Sequence, residues 1–255
     1  MTLNYKSFGE GYPIIILHGL FGTLDNWQTI AKKLAEHYTV YIIDQRNHGR
    51  SPHDDTFDYK VMADDLQVFM ESQWIYEAHV IGHSMGGKTA MQFALNYPDL
   101  VNQLVVVDIA PKAYEGGHQT IFEALLSLDL ATITSRKEAD ELLQQKIEDF
   151  GVRQFLLKNL TRRKEGGFKW KMNLPVIYQN YQQILSAIES EDSFDNATLF
   201  IRGGISNYVK EEDMTNIKTL FPVAELATVP KVGHWVHAAA PSTLLKLVNN
   251  FLKAD

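Results

Sequence analysis

The chain has 255 residues, 45% of them hydrophobic and 22% charged, with a formal net charge of −7 and no cysteine. Length and balance fit one soluble α/β domain with a large core and room for a single insertion, and the negative charge argues against nucleic acid as a principal partner. The lack of cysteine excludes disulfides, thiol catalysis and thiolate metal sites, and the nine histidines show no ligand spacing such as H-E-x-x-H, so no metal is expected. Met1–Lys6 holds no apolar signal segment and no run reaches membrane-spanning length, so the expectation is a cytoplasmic chain with no membrane span, either a monomer or a small homo-oligomer.

Ile14-Ile15-Ile16-Leu17 reads as a strand buried on both faces, because it is short, apolar and without alternation. Trp27, Ile30, Ala31, Leu34, Ala35 and Tyr38 recur at helical spacing and predict a first helix with one apolar stripe. Further buried runs at 40–44, 79–82, 104–108, 198–202 and 224–229 alternate with helical patterns, which predicts a mostly parallel sheet flanked by helices. The alternation stops after Pro111. From 112 to 195, helical stretches near 121–128, 139–147 and 155–160 come without a long buried strand. This reads as a helical cap inserted into a core made of 1–111 and 196–255, since insertions at strand ends carry substrate selection. Leu244, Leu245, Leu247, Val248, Phe251 and Leu252 predict a closing helix.

Gly82-His83-Ser84-Met85-Gly86 falls where the strand Ala78–Ile81 passes into a predicted helix from Gly87 to about Asn96. That is the pattern of a nucleophile elbow, a turn so tight that side chains larger than glycine at 82 and 86 would strike the neighbouring strand and helix. It would raise the Ser84 hydroxyl at a helix N-terminus, with the Met85 N–H facing a developing oxyanion. His18-Gly19-Leu20-Phe21-Gly22 follows the first buried strand. It is read as the loop giving the second oxyanion donor, the Leu20 N–H, with Phe21 lining an acyl pocket and His18 bracing the turn. Gly233-His234-Trp235 follows the last strand, and His234 is the expected base, ahead of His237.

The expected place for a third, acidic member is the loop after Thr198–Arg202, but Ser206 stands in that slot. A serine cannot balance an imidazolium. Asp108, closing the run Leu104–Val107 beside the nucleophile strand, is the preferred acid, because the carboxyl ends of adjacent parallel strands open on one face. Asp44 also closes a strand and is expected to pair with Arg46 and order the following loop. Lys88, four residues past Ser84, is expected to turn sideways into a salt bridge.

His18–Gly22, Asp44–Gly49, Gly82–Lys88, Val107–Pro111, Gln154–Asn159, Gly203–Val209 and Gly233–Ala238 together resemble the α/β-hydrolase superfamily and, within it, the YbfF-like bacterial esterases. The resemblance spans nearly the whole chain. It implies an α/β-hydrolase fold, a cofactor-free esterase acting on short- to medium-chain acyl esters and acyl thioesters, and an acid after the sixth strand with serine in the usual acid slot. Catalysis would then fall to Ser84, His234 and Asp108 with Ser206 bonding to Asp108 or His234, and substrate binding to Leu20, Met85, Phe21 and Trp235. A carbon–carbon bond hydrolase, a cofactor-free lyase and a ligand receptor on the same scaffold are the alternatives. The basic run Arg162–Lys171, turning at Gly166-Gly167, is either a solvated hairpin or a clamp for an anionic leaving group such as the phosphates of coenzyme A.

Overall fold

The structure, a computed structural model, describes residues 1–252. Its first half runs β1 (Tyr5–Phe8), β2 (Tyr12–Leu17), α1 (Gln28–Leu34), β3 (Tyr38–Ile43), α2 (Tyr59–Ser72), β4 (Ala78–His83), α3 (Met85–Asn96) and β5 (Val101–Val107). There follow α4 (Gln119–Leu126), α5 (Arg136–Gln144), α6 (Phe150–Leu157), the short hairpin β6 (Leu160–Arg162) and β7 (Phe168–Trp170), α7 (Leu174–Gln179) and α8 (Tyr181–Leu185). The chain closes with β8 (Thr198–Gly203), α9 (Met214–Leu220), β9 (Glu225–Val229), α10 (Val236–Ala239) and α11 (Pro241–Leu252).

Seven strands form one sheet in the order β1-β3-β2-β4-β5-β8-β9. All its pairings are parallel except that of β1 with β3. The α/β-hydrolase architecture expected from the sequence is the one observed. β1 is the element that periodicity missed: three of its four residues are exposed, so this edge strand has no apolar pattern to read.

Side chains alternate across the sheet with the period of a strand. Ile14, Ile16, Val105 and Val107 face a core shared with Trp27, Ile30, Leu34, Leu244 and Val248. Ile15, Leu17, Leu104 and Val106 face the opposite core with Met62, Leu66, Phe69 and Phe93. The 112–195 segment adds no strand to this sheet. Its Phe122, Leu125, Leu156, Phe168 and Ile177 merge with the second core. Asp58, Ser135 and Asp149 cap α2, α5 and α6 by accepting from backbone N–H groups.

Candidate active site

Ser84 joins β4 to α3 with φ +53° and ψ −121°, a backbone conformation that L residues rarely adopt and that costs about 1–3 kcal/mol. The sheet holds it there, the Ser84 N–H donating to the Val107 carbonyl at 3.0 Å. A Cβ on Gly82 would run into the Gly86 backbone, and one on Gly86 into the carbonyls of Leu17 and His18, which is the crowding the turn pattern predicted. Serine is a favoured helix cap, yet the Ser84 hydroxyl does not cap α3. It lies 3.0 Å from His234 Nε2 instead. The Met85 N–H, first of α3, has no intrahelical acceptor and carries the positive end of the helix dipole.

His234 and Asp108 complete the cluster. The His234 Nδ1–H donates to Asp108 Oδ2 at 2.8 Å. Asp108 is fully buried at φ +52°, where an unpartnered carboxylate would be costly. Three donors offset that cost: His234, the Gly203 N–H at 2.8 Å to Oδ1, and the Ser206 hydroxyl at 2.5 Å to Oδ2. Ser206, in the empty acid slot, thus bonds to the acid and not to the imidazole. Tyr208 stacks on the His234 ring with centroids 3.9 Å apart, and the His83 Nε2–H donates to the His234 carbonyl at 2.9 Å.

The His18–Gly22 loop reaches the same point from β2. The Gly19 carbonyl accepts both the Gly22 N–H at 2.9 Å and the His18 Nδ1–H at 2.8 Å. In a planar trans peptide the Leu20 N–H must then point the opposite way. Gly19 is so close to the elbow that a Cβ there would be 3.2 Å from Ser84 Cβ. Among the described residues no acceptor is bonded to the Leu20 N–H. His18 braces the turn as the sequence suggested, its Nε2 accepting the Gln45 N–H at 3.0 Å. Burial pushes His18 down to about 4, so it is neutral at physiological pH. Burial likewise takes His118 and His237 down to about 4, with His234 as a lesser cause, and holds His83 well below its ordinary range.

Two expectations need correction. Asp44 does not pair with Arg46. Its carboxylate accepts from Asn4 Nδ2 and from the Leu24 and Arg50 N–H groups, ordering the loop through backbone, while Arg46 donates to Asp65 on α2. Among the described residues Lys88 forms no salt bridge. It is buried, and its Nζ donates to the carbonyls of Lys112 and Ser186 between the rings of Tyr59 and Tyr114. The reason is shared: the partners come from segments that local spacing does not reveal.

Two cavities meet at Ser84. The smaller, about 340 Å³, is lined by Phe21, Trp27, Val152, Phe155, Leu156 and Trp235. The larger, about 660 Å³, is lined by Tyr59, Met85, Tyr114, Tyr181, Lys112 and Lys210. Leu20, Ser84, His118 and Tyr208 border both. None of the basic side chains of 162–171 lines either cavity, and the Arg162 guanidinium lies over Phe168 at 5.1 Å. Sequence reading missed His118, Tyr208 and Asn159. Tyr208 sits two residues past the vacant acid slot and Asn159 closes the segment Gln154–Asn159, clues available in the chain; His118 offered none. Among the described residues no group of three or more His, Asp or Glu side chains could hold a metal, and no helix is long and apolar enough to cross a membrane.

Comparison with known proteins agrees with this architecture. The alpha/beta hydrolase fold family matches residues 12–241. The chain is 37% identical to an Escherichia coli protein named esterase YbfF, covering 94% of this chain and 92% of that one. It is 37% identical to a Danio rerio protein named sn-1-specific diacylglycerol lipase ABHD11, covering 99% of this chain and 83% of the relative. A solved structure described as a marine microorganism esterase superposes with a TM-score of 0.96 at 43% identity, covering 98% of this chain and 99% of that one. Taken with the fold, these matches show that the chain belongs to the α/β-hydrolase family and is a serine hydrolase of the carboxylesterase type.

Proposed function

We propose that the protein hydrolyses short- to medium-chain acyl esters through an acyl-enzyme formed on Ser84. The Ser84 Oγ–H gives its proton to His234 Nε2 as the oxygen attacks the ester carbonyl. The resulting oxyanion is received by the N–H groups of Leu20 and Met85. His234 returns the proton to the departing alcohol, and a water molecule repeats the sequence to release the acid. Asp108 holds the imidazole tautomer and balances its charge, and Ser206 holds Asp108.

Residues 112–195 act as the cap, supplying Val152, Phe155 and Leu156 to the smaller cavity. That cavity, with Phe21 and Trp235, takes the acyl chain, and the larger, more polar one takes the alcohol. Acyl thioesters rank as a minor activity, because none of the hairpin's basic side chains lines either cavity. Relatives named as diacylglycerol lipases make glycerol esters of interest within the series to be tried.

The observation that carries the proposal is the unbroken path Ser84–His234–Asp108, at 3.0 and 2.8 Å, beneath two unengaged main-chain amides. Fluorophosphonate labelling followed by peptide mass analysis should place the adduct on Ser84, and p-nitrophenyl esters should show a burst. Labelling at another residue, or turnover surviving in Ser84→Ala, would refute it.

A further inference from the structure

The residue that follows Leu20 is held from two directions. Phe21 lies at φ +60°, in the left-handed region disfavoured for a bulky side chain. Its N–H donates to His48 Nε2 at 3.3 Å, and its carbonyl accepts from Asn159 Nδ2 at 2.7 Å. His48 is ready for its part: its Nδ1–H donates to the Arg46 carbonyl, leaving Nε2 an acceptor, and burial drives it down to about 3, so it stays neutral. Asn159 comes from the other side of the site, at the end of α6 where the hairpin begins, 138 residues away in sequence.

Asn159 is fully buried and its backbone is tied down. Its N–H donates to the Leu156 carbonyl, and its own carbonyl accepts the Lys171 N–H at 2.8 Å. Its side-chain Oδ1 is buried with no hydrogen-bond partner, while Nδ2 donates to Phe21 and, at 3.4 Å, to Leu156. An amide that leaves one buried end unbonded needs a reason for being there. Here the reason lies in its donor end, which meets a loop carbonyl in a strained turn.

We propose that Asn159 is a positioning residue for the oxyanion donor. By holding the Phe21 carbonyl it fixes the Phe21–Gly22 peptide, whose N–H donates to the Gly19 carbonyl, and that bond turns the Leu20 N–H of the Gly19–Leu20 peptide the opposite way, toward Ser84. The cap segment would then set the rate of the chemical step as well as choosing the substrate. This rests on the acyl-enzyme reading above. Removing an oxyanion donor outright costs about 10²- to 10³-fold in kcat. Loosening one costs less, so Asn159→Leu should lower kcat about 10- to 100-fold and leave KM within about twofold.

The test compares wild type, Asn159→Leu and Ser84→Ala on one p-nitrophenyl ester, with thermal unfolding beside it. It adds the affinities of a trifluoromethyl ketone, which forms an oxyanion on serine, and of the free carboxylic acid product. The ketone affinity should fall in the same ratio as kcat/KM while the product affinity holds, because only the first uses the donor at transition-state strength. A merely structural role would weaken both equally or raise KM alone, and either result overturns the inference. If Asn159→Leu does not fold, Asn159→Asp keeps the size but turns an acceptor toward the Phe21 carbonyl, and the same split is expected of it; wild-type kcat in that variant overturns the inference. A dead Ser84→Ala beside a fully active Asn159 variant defeats this inference alone. An active Ser84→Ala defeats the acyl-enzyme reading, and the inference with it.

Discussion

Two strand ends in this molecule look alike in sequence and differ in use. β3 and β5 are apolar strands, each followed directly by an aspartate, Asp44 and Asp108, and both carboxylates are buried. Asp44 spends its oxygens on Asn4 and on the backbone of Leu24 and Arg50, so it organises a loop. Asp108 gives one oxygen to the Gly203 backbone and the other to Ser206 and His234. The difference lies in the neighbouring strand. β5 is flanked by β4, which carries Ser84, and by β8, whose following loop brings Ser206, whereas β3 lies two places from β4 on the other side of β2. Strand order, not the local residue pattern, decides which aspartate faces the imidazole.

That contrast can be broken by substitution, from the largest expected effect downward. Ser84→Ala should abolish turnover of p-nitrophenyl esters while leaving the unfolding midpoint near wild type. Asp108→Asn should lower kcat by about 10⁴, as loss of the triad acid does in other serine hydrolases. Asp44→Asn should do the opposite. It weakens charge-assisted acceptors of buried N–H groups and should cost about 2–3 kcal/mol in denaturant unfolding, with activity per folded molecule kept within a few-fold. Ser206→Ala removes one hydrogen bond to a buried carboxylate and should reduce kcat by about 10- to 100-fold, well short of Asp108→Asn. The reverse ranking of Asp108 and Ser206 would show that the acid has been wrongly placed.

Lys88 sharpens the comparison through pH. Burial takes its ammonium from 10.5 down to about 7, and in the unfolded chain it returns to the ordinary value. Between about pH 7 and 10.5 the unfolded state therefore binds more protons at this group, and folding stability rises with pH there. Below pH 7 both states are protonated and the burial cost is felt in full. The stability difference between wild type and Lys88→Met should accordingly move in favour of wild type as pH is raised from 7 to 10. A flat difference in denaturant unfolding across that range would show that the ammonium is not desolvated.

Much of the site was legible because its parts are made from contiguous backbone. The elbow needs glycine at 82 and 86 for clearances measured within a few residues and one adjacent strand, and those glycines can be read directly. The His18 brace is also local, since its Nδ1–H bonds to the next residue's carbonyl. The partner of Lys88 was misread for the opposite reason. Its acceptors are carbonyls at 112 and 186, brought together only when the 112–195 segment folds back over α3. Arg46 likewise finds Asp65 on α2 rather than the aspartate two residues before it. β1 escaped notice because an exposed edge strand needs no apolar side chains; its identity comes from the hydrogen bonds it makes with β3.

The sequence by itself determined the parallel sheet, the strained serine turn, the glycine-bearing loop after β2 and the late histidine, because each is written in short-range sterics or in the period of buried residues. Tertiary structure alone decided how Asp108 divides its oxygens between backbone, Ser206 and His234, where Lys88 and Arg46 find partners, and that Asn159 reaches Phe21 across the site. Those contacts join residues tens to more than a hundred positions apart. Their existence depends on strand order and on the path of the 112–195 segment, which hydrophobic periodicity does not encode.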